Sequence, residues 1–134
     1  MSSLSALTLC KNERMSGRTL IEKLFNGGDS HAMSAFPLRM VYMVTERKDD
    51  AIAKILISVP KRHFKRAVKR NRVKRQVREA FRNNKSILAN AFVGRENESV
   101  AIAFIWLADE LYNSNEVERK IKNLLQRLSE RICK

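Results

Sequence analysis

Residues 61–82 of this chain read KRHFKRAVKRNRVKRQVREAFR, with eleven Lys or Arg residues and a single acid, Glu79. From Ala67 onward the stretch contains no Gly or Pro and is rich in good helix formers, which predicts a helix. Its apolar residues recur at the i, i+4, i+7, i+8 spacing of a face packed on a core: Val73, Val77, Ala80 and Phe81. The sequence therefore predicts a helix with one apolar face and a densely basic remainder.

The basic remainder of this helix points to a polyanionic ligand. A solvated helix face normally mixes acids and bases at i, i+4 spacing, and this one does not. The whole chain carries a formal net charge of +13 and has a pI near 10.4. Because like charges on one short helix repel unless a polyanion neutralises them, we expect nucleic acid bound largely through its phosphates. The helix has few Asn, Gln or Ser residues to read base edges, which favours structured RNA over a DNA major groove.

The length and composition indicate one domain covering residues 1–134, with residues 1–8 as a loosely ordered tail. No apolar run of about 18 residues is present, so we expect no membrane span. The apolar N-terminal residues have no basic segment before them, which argues against a signal peptide. Cys10 and Cys133 have neither metal-binding nor redox spacing and are predicted to be free thiols of a cytoplasmic protein, although a disulfide stays open.

Periodicity and turn residues predict an α/β sandwich with a sheet of three or four strands. Before the basic helix, the predicted elements are a helix at 17–26, a weak strand or loop at 30–35, a strand at 36–45, a charged hairpin-like connection at 46–50 and a strand at 51–59. After it come a loop at 83–98 with a short helical segment at 87–92, a strand at 99–107 and a final helix capped by residues 113–115. The strand at 51–59 is largely apolar, which predicts a central position in the sheet.

No catalytic site is visible in the sequence. His31 and His63 are far apart and have no Cys or carboxylate at ligand spacing, so we expect no metal site built from protein ligands. The adjacent acids Asp49–Asp50 and Asp109–Glu110 fall in predicted turns, where turn formation and solubility explain them. No phosphate-binding glycine loop and no nucleophile with a matched base are found.

Residues 69–82, KRNRVKRQVREAFR, resemble the signature of the protein subunit of bacterial ribonuclease P, R-N-x-x-K-R-x-x-R-E. Its fixed positions fall on Arg70, Asn71, Lys74, Arg75, Arg78 and Glu79. The resemblance extends over about residues 9–107. It implies an α-β-β-β-α-β-α fold of the α+β sandwich type, with a central, mostly antiparallel sheet and a left-handed crossover at the basic helix.

The resemblance also implies the function and the site. The family's partner is a catalytic RNA that, with Mg²⁺ bound mainly by the RNA, removes the 5′ leader of precursor tRNA, so no catalytic residue or protein partner is implied. The implied RNA-binding residues are Lys61, Arg62, Lys65, Arg66, Lys69, Arg70, Asn71, Arg72, Lys74, Arg75 and Arg78. The implied cleft for the single-stranded leader contains Phe25, Pro37 and Arg39.

Three features depart from the family pattern. Ile21 and Arg39 stand where many members have an aromatic residue, which weakens base stacking and favours phosphate contacts in the cleft. The 60–66 loop is one residue longer than the common pattern and carries Phe64 in place of the usual Gly. Glu79, alone in the basic helix, is expected to be structural and to pair with Arg75 or Arg82.

Other interpretations of the same residues are open at this point. A non-catalytic protein that binds structured RNA, of the ribosomal or chaperone type, fits the same charge pattern. A stand-alone nuclease would require clustered carboxylates or histidines, which the sequence lacks. A helix lying on a membrane surface is disfavoured, because the apolar face of the basic helix is narrow and has no Trp or Leu.

Overall fold

The computed structural model describes residues 30–46 and 52–132 of the chain. The helix predicted at 17–26, with Ile21 and Phe25, lies outside these ranges, as do most of the 46–50 connection and both cysteines.

The described residues contain one four-stranded sheet. Its strands are β1 (His31–Ala35), β2 (Leu38–Glu46), β3 (Ala53–Ser58) and β4 (Glu98–Trp106), in the spatial order β1-β2-β4-β3. β2 pairs antiparallel with β1 and with β4, whereas β3 and β4 are parallel. The mostly antiparallel sheet implied by the resemblance is therefore confirmed, with the weak strand at 31–35 as its fourth member.

Three helices complete the fold in the described ranges: α1 (Ala67–Asn84), α2 (Ser86–Ala91) and α3 (Ser114–Ile132). α1 and α2 lie in the connection between β3 and β4, since parallel neighbours require a long crossover rather than a hairpin. The helix expected from Ala67 onward, the short helical segment near 87–92 and the final helix are confirmed. The left hand of the crossover stays a prediction.

Two predictions about β3 are wrong. The strand was expected to be central, but in the described part of the chain it pairs only with β4 and lies at an edge of the sheet. The 46–50 segment was expected to form a hairpin-like connection, yet β4 lies between β2 and β3. β3 is apolar because its faces contact apolar clusters on both sides of the sheet, through Ile55 on one side and Leu56 on the other.

The larger core cluster lies between the sheet and the helices. α1 contributes the four apolar residues expected from the sequence, and the Phe81 ring lies 6.2 Å from that of Phe104 on β4. The apolar residues that recur at helical spacing along α3 are all buried: Val117, Ile121, Leu124, Leu125, Leu128 and Ile132. Because this face of α1 is held against the core, its basic residues are left on the outside.

Candidate nucleic-acid interface

Helix α1 presents a continuous basic surface. All of the basic and Asn residues expected to bind RNA are exposed except Arg70 and Lys74, which are half-buried. Asn71, Arg75, Arg78 and Arg82 follow one another at i, i+4, i+7 and i+11, which places them along one line of the helix opposite the buried face. Three of these four residues are Arg, so this line offers a row of cations to the phosphates of a nucleic acid.

The N-terminal end of α1 adds to this positive surface. Its N-cap residue is Arg66, no side chain caps the helix, and the first turn contains no acid. The first backbone N–H groups of a helix carry partial positive charge, which favours an anion at that end. Four exposed cations of the preceding loop lie close by in the chain: Lys61, Arg62, Lys65 and Arg66.

Glu79 is the one acid of α1 and has a structural partner. Its carboxylate lies 3.5 Å from the guanidinium of Arg82, one turn further along the helix. The expected pairing with Arg82 is confirmed. Glu79 therefore offsets the charge of Arg82 and leaves Arg75 and Arg78 as the stronger phosphate-binding candidates on this line.

Arg70 has an internal role that the sequence did not reveal. Its guanidinium donates hydrogen bonds to the backbone carbonyl oxygens of Phe64 and Lys65, at 2.7 and 2.9 Å. Phe64 itself is buried in the core, with 5% of its surface exposed. Arg70 thus connects the loop at 59–66, here called the basic loop, to the first turn of α1. Its direct contact with RNA stays a prediction.

His63 also contacts the protein rather than facing outward. Its Nδ1 lies 2.6 Å from Oδ1 of Asp109, and its side chain is 9% exposed. This pair could not be predicted from the sequence, because the two residues lie 46 positions apart and Asp109 falls in a predicted turn. The parallel pairing of β3 with β4 explains the contact between His63 and Asp109, since the carboxyl ends of the two strands lie side by side.

Gln76 is a further residue that the sequence analysis missed. It is 9% exposed, and its amide donates to the carbonyl oxygen of Tyr112 at 2.9 Å and to Oγ of Ser114 at 3.3 Å. It lines a groove of about 290 Å³ between α1 and the start of α3. A polar residue on the buried face of α1 was detectable only as a gap in the apolar pattern.

Two of the three residues of the predicted leader cleft, Pro37 and Arg39, lie in the described ranges. Pro37 is buried in the turn between β1 and β2, and Arg39 is exposed on β2. Arg39 lies on the sheet face opposite α1, because its odd-numbered neighbours on β2, Val41 and Met43, form the second apolar cluster. Phe36, which precedes Pro37 in the same turn, is an exposed aromatic residue, with 59% of its surface accessible. Phe25 lies outside the described residues, so the three residues are not brought together here.

The described ranges contain neither a candidate metal site nor a helix that could span a membrane. No group of three His, Cys, Asp or Glu residues there could hold a metal ion. None of the helices in residues 30–46 and 52–132 is long and apolar enough to cross a membrane.

Known proteins of one family are similar to this chain over most of its length. The family model described as Ribonuclease P matches residues 9–129. The ribonuclease P protein component of Porphyromonas gingivalis is 40% identical over 129 residues, covering 96% of this chain and 92% of that protein. The corresponding protein of Chlorobaculum tepidum is 30% identical over 128 residues, covering 90% of this chain and 82% of that protein.

Solved structures support the fold. The RNase P protein from Thermotoga maritima superimposes with a TM-score of 0.64 at 23% identity, covering 86% of this chain and 96% of that one. The Staphylococcus aureus RNase P protein gives a TM-score of 0.62 at 19% identity, covering 87% and 94%. Together with the family match and the 40% identical relative, these similarities show that the chain belongs to the ribonuclease P protein family.

Proposed function

We propose that this chain is the protein subunit of ribonuclease P and binds the catalytic RNA of that enzyme through the 59–66 loop and the exposed line of α1. The observation that carries the proposal is the acid-poor basic surface of α1, on which the signature residues Asn71, Arg75 and Arg78 are exposed. Lys and Arg contacts to phosphates give affinity with little sequence readout, which suits an RNA recognised by its shape.

The chemistry belongs to the RNA in this proposal. Ribonuclease P is an endoribonuclease, and hydrolysis of the 5′ leader junction of precursor tRNA would be performed by the RNA with its Mg²⁺ ions. The residues at 30–46 and 52–132 do not fit a magnesium site, since they contain no suitable group of three His, Cys, Asp or Glu residues. We propose that Mg²⁺ is bound mainly by the RNA, as the family resemblance implies, and that the protein binds and orients the substrate.

The precursor tRNA leader is assigned to the other face of the sheet. Arg39 is exposed there and offers a phosphate contact. Phe36, the exposed aromatic residue before Pro37 in the turn between β1 and β2, offers a ring for base stacking. Because Arg39 and α1 lie on opposite faces, one molecule can bind the catalytic RNA and the leader without competition between them. Such a protein would act in the cytoplasm, where a bacterial cell processes its tRNA.

The proposal is tested by cleavage of precursor tRNA at low Mg²⁺ concentration. Three reactions are compared: bacterial ribonuclease P RNA alone, the protein alone, and the two together. We expect efficient cleavage at the mature 5′ end only in the mixture. A mixture that cuts no better than the RNA alone would reduce the chain to a general RNA-binding protein, and cleavage by the protein alone would contradict the assignment of the chemistry to the RNA.

A further inference from the structure

The basic loop between β3 and α1 is held at several points. A hydrogen bond of 3.1 Å from the backbone N–H of His63 to the carbonyl oxygen of Pro60 closes a turn around Lys61 and Arg62. Phe64 is buried in the core, and the guanidinium of Arg70 binds the carbonyl oxygen of Phe64. The backbone of the loop that carries Lys61 and Arg62 is therefore held by hydrogen bonds and by one buried side chain.

Asp109 supplies the attachment that comes from outside this loop and helix. It lies in the connection between β4 and α3, and its Oδ1 is 2.6 Å from Nδ1 of His63. The His63 ring is nearly buried, and its Nε2 has no hydrogen-bond partner among the described residues. Neither ring nitrogen is available to RNA, because Nδ1 contacts Asp109 and Nε2 is buried. The exposed carboxylate of Asp109 thus holds the ring in place.

We propose that Asp109 is a positioning residue for RNA binding, which acts through His63 to hold the basic loop in the arrangement that meets the RNA. The proposal rests on the proposed function, since it concerns affinity for ribonuclease P RNA. An acid beside a polyanion-binding surface is unfavourable by simple charge, because it repels the phosphates. Asp109 favours RNA binding if the affinity gained by ordering Lys61 and Arg62 exceeds the affinity lost by repulsion between its carboxylate and the phosphates.

The two effects of Asp109 have opposite signs, which makes the proposal testable. If only its charge matters, removal of the carboxylate strengthens RNA binding. If Asp109 positions the loop, removal weakens binding and lowers the salt dependence, since the phosphate contacts of the freed loop are lost. Glu110 is the matched control, because it is the neighbouring acid, is also exposed and lies in the same connection.

The experiment measures the dissociation constant of the full chain for ribonuclease P RNA over a series of salt concentrations. For Asp109→Ala we expect binding weaker by about 5- to 10-fold at 0.1 M salt and a log–log salt slope lower by about one unit, as for the loss of one phosphate contact. Asp109→Asn retains an oxygen that accepts a hydrogen bond from His63 and should recover much of the affinity. Glu110→Ala should bind as tightly as the wild type or more tightly.

A double-mutant cycle tests the route through His63. In the His63→Ala background, Asp109→Ala should cause no further loss of affinity, because the residue on which it acts is gone. Thermal melting of each variant shows whether it is folded at the assay temperature. If Asp109→Ala is not folded, the comparison is between Asp109→Asn and Glu110→Ala, which lose the same charge: the inference expects Asp109→Asn to bind more weakly, and equal affinity would contradict it.

Three results would overturn the inference. Asp109→Ala binding as tightly as Glu110→Ala with an unchanged salt slope would show that only charge matters. An equal loss with and without His63 would show that Asp109 acts by another route. A wild-type chain that fails to bind the RNA would overturn the proposed function as well, which distinguishes that failure from the first two.

Discussion

Arg75 and Arg78 provide the sharpest test of the basic surface on α1. Both are exposed, lie on the same line of the helix and are separated from its buried face. Replacement of both by Gln removes two positive charges and retains a good helix former at each position, so the fold should be unaffected. Any change in RNA affinity then reports on contacts with the RNA.

The expected magnitude follows from counterion release. Each lost phosphate contact lowers the log–log salt slope by about 0.7–0.9, so the double variant should lose about 1.4–1.8 units. Raising the salt concentration from 0.1 to 0.4 M should weaken RNA binding by both proteins. The loss of affinity should be about 7- to 12-fold smaller for the double variant than for the wild type. If the affinities converge at 1 M salt, the variant should bind about 25- to 63-fold more weakly at 0.1 M.

The assay is equilibrium binding to labelled ribonuclease P RNA at constant Mg²⁺ over that salt range. A control with the same loss of charge replaces Lys122 and Arg131 with Gln, since both are exposed on α3. The control should shift the affinity slightly and leave the slope near that of the wild type. Equal slopes for the two double variants would mean that net charge, and not the line on α1, governs binding.

Three further substitutions test the packing described above. Phe81→Ala should lower the free energy of unfolding in urea by about 3–5 kcal/mol, because a fully buried ring is lost, and an unchanged midpoint would contradict its place in the core. Gln76→Ala leaves the carbonyl oxygen of Tyr112 without its donor and should cost about 1–3 kcal/mol in the same assay; a neutral effect would mean that water replaces the amide. Arg70→Ala should accelerate limited tryptic cleavage in the 59–66 loop, because the carbonyl oxygens of Phe64 and Lys65 lose their common donor, and an unchanged rate would show that the loop is held without it.

Helices α1 and α3 could be predicted from the sequence because each has a one-sided apolar stripe. Apart from Gln76, the buried residues of α1 and α3 are those expected from a 3.6-residue period, since burial against a single layer is a local property of the chain. The exposure of the basic residues on α1 followed from the same period.

The position of β3 in the sheet could not be predicted in this way. An apolar run such as that around Ile55 and Leu56 reports that both faces of a strand are covered, and it contains no information about lateral neighbours. The lateral order depends on β4, which is separated from β3 by α1 and α2. Long-range pairing of this kind is decided by the whole fold and not by the strand itself.

The anchors of the basic loop were missed for a related reason. Arg70 was interpreted by its charge, but its hydrogen bonds depend on the path of the chain around Phe64. His63 and Asp109 meet only because parallel strands end at one edge of the sheet. A basic stretch therefore predicts the ligand class well, while the division of its residues between RNA contact and loop support requires coordinates.

The most direct measurement asks which face of the chain meets the RNA. Asn71 on α1 and Asn123 on α3 are both exposed, so each can be replaced by Cys in a chain whose Cys10 and Cys133 have been changed to Ser, and a tethered iron–EDTA group attached. With ribonuclease P RNA in the assembled complex, we expect strand cleavage at defined nucleotides from position 71 and little from position 123. Equal cleavage from both positions, or stronger cleavage from position 123, would contradict the assignment of α1 to the RNA interface.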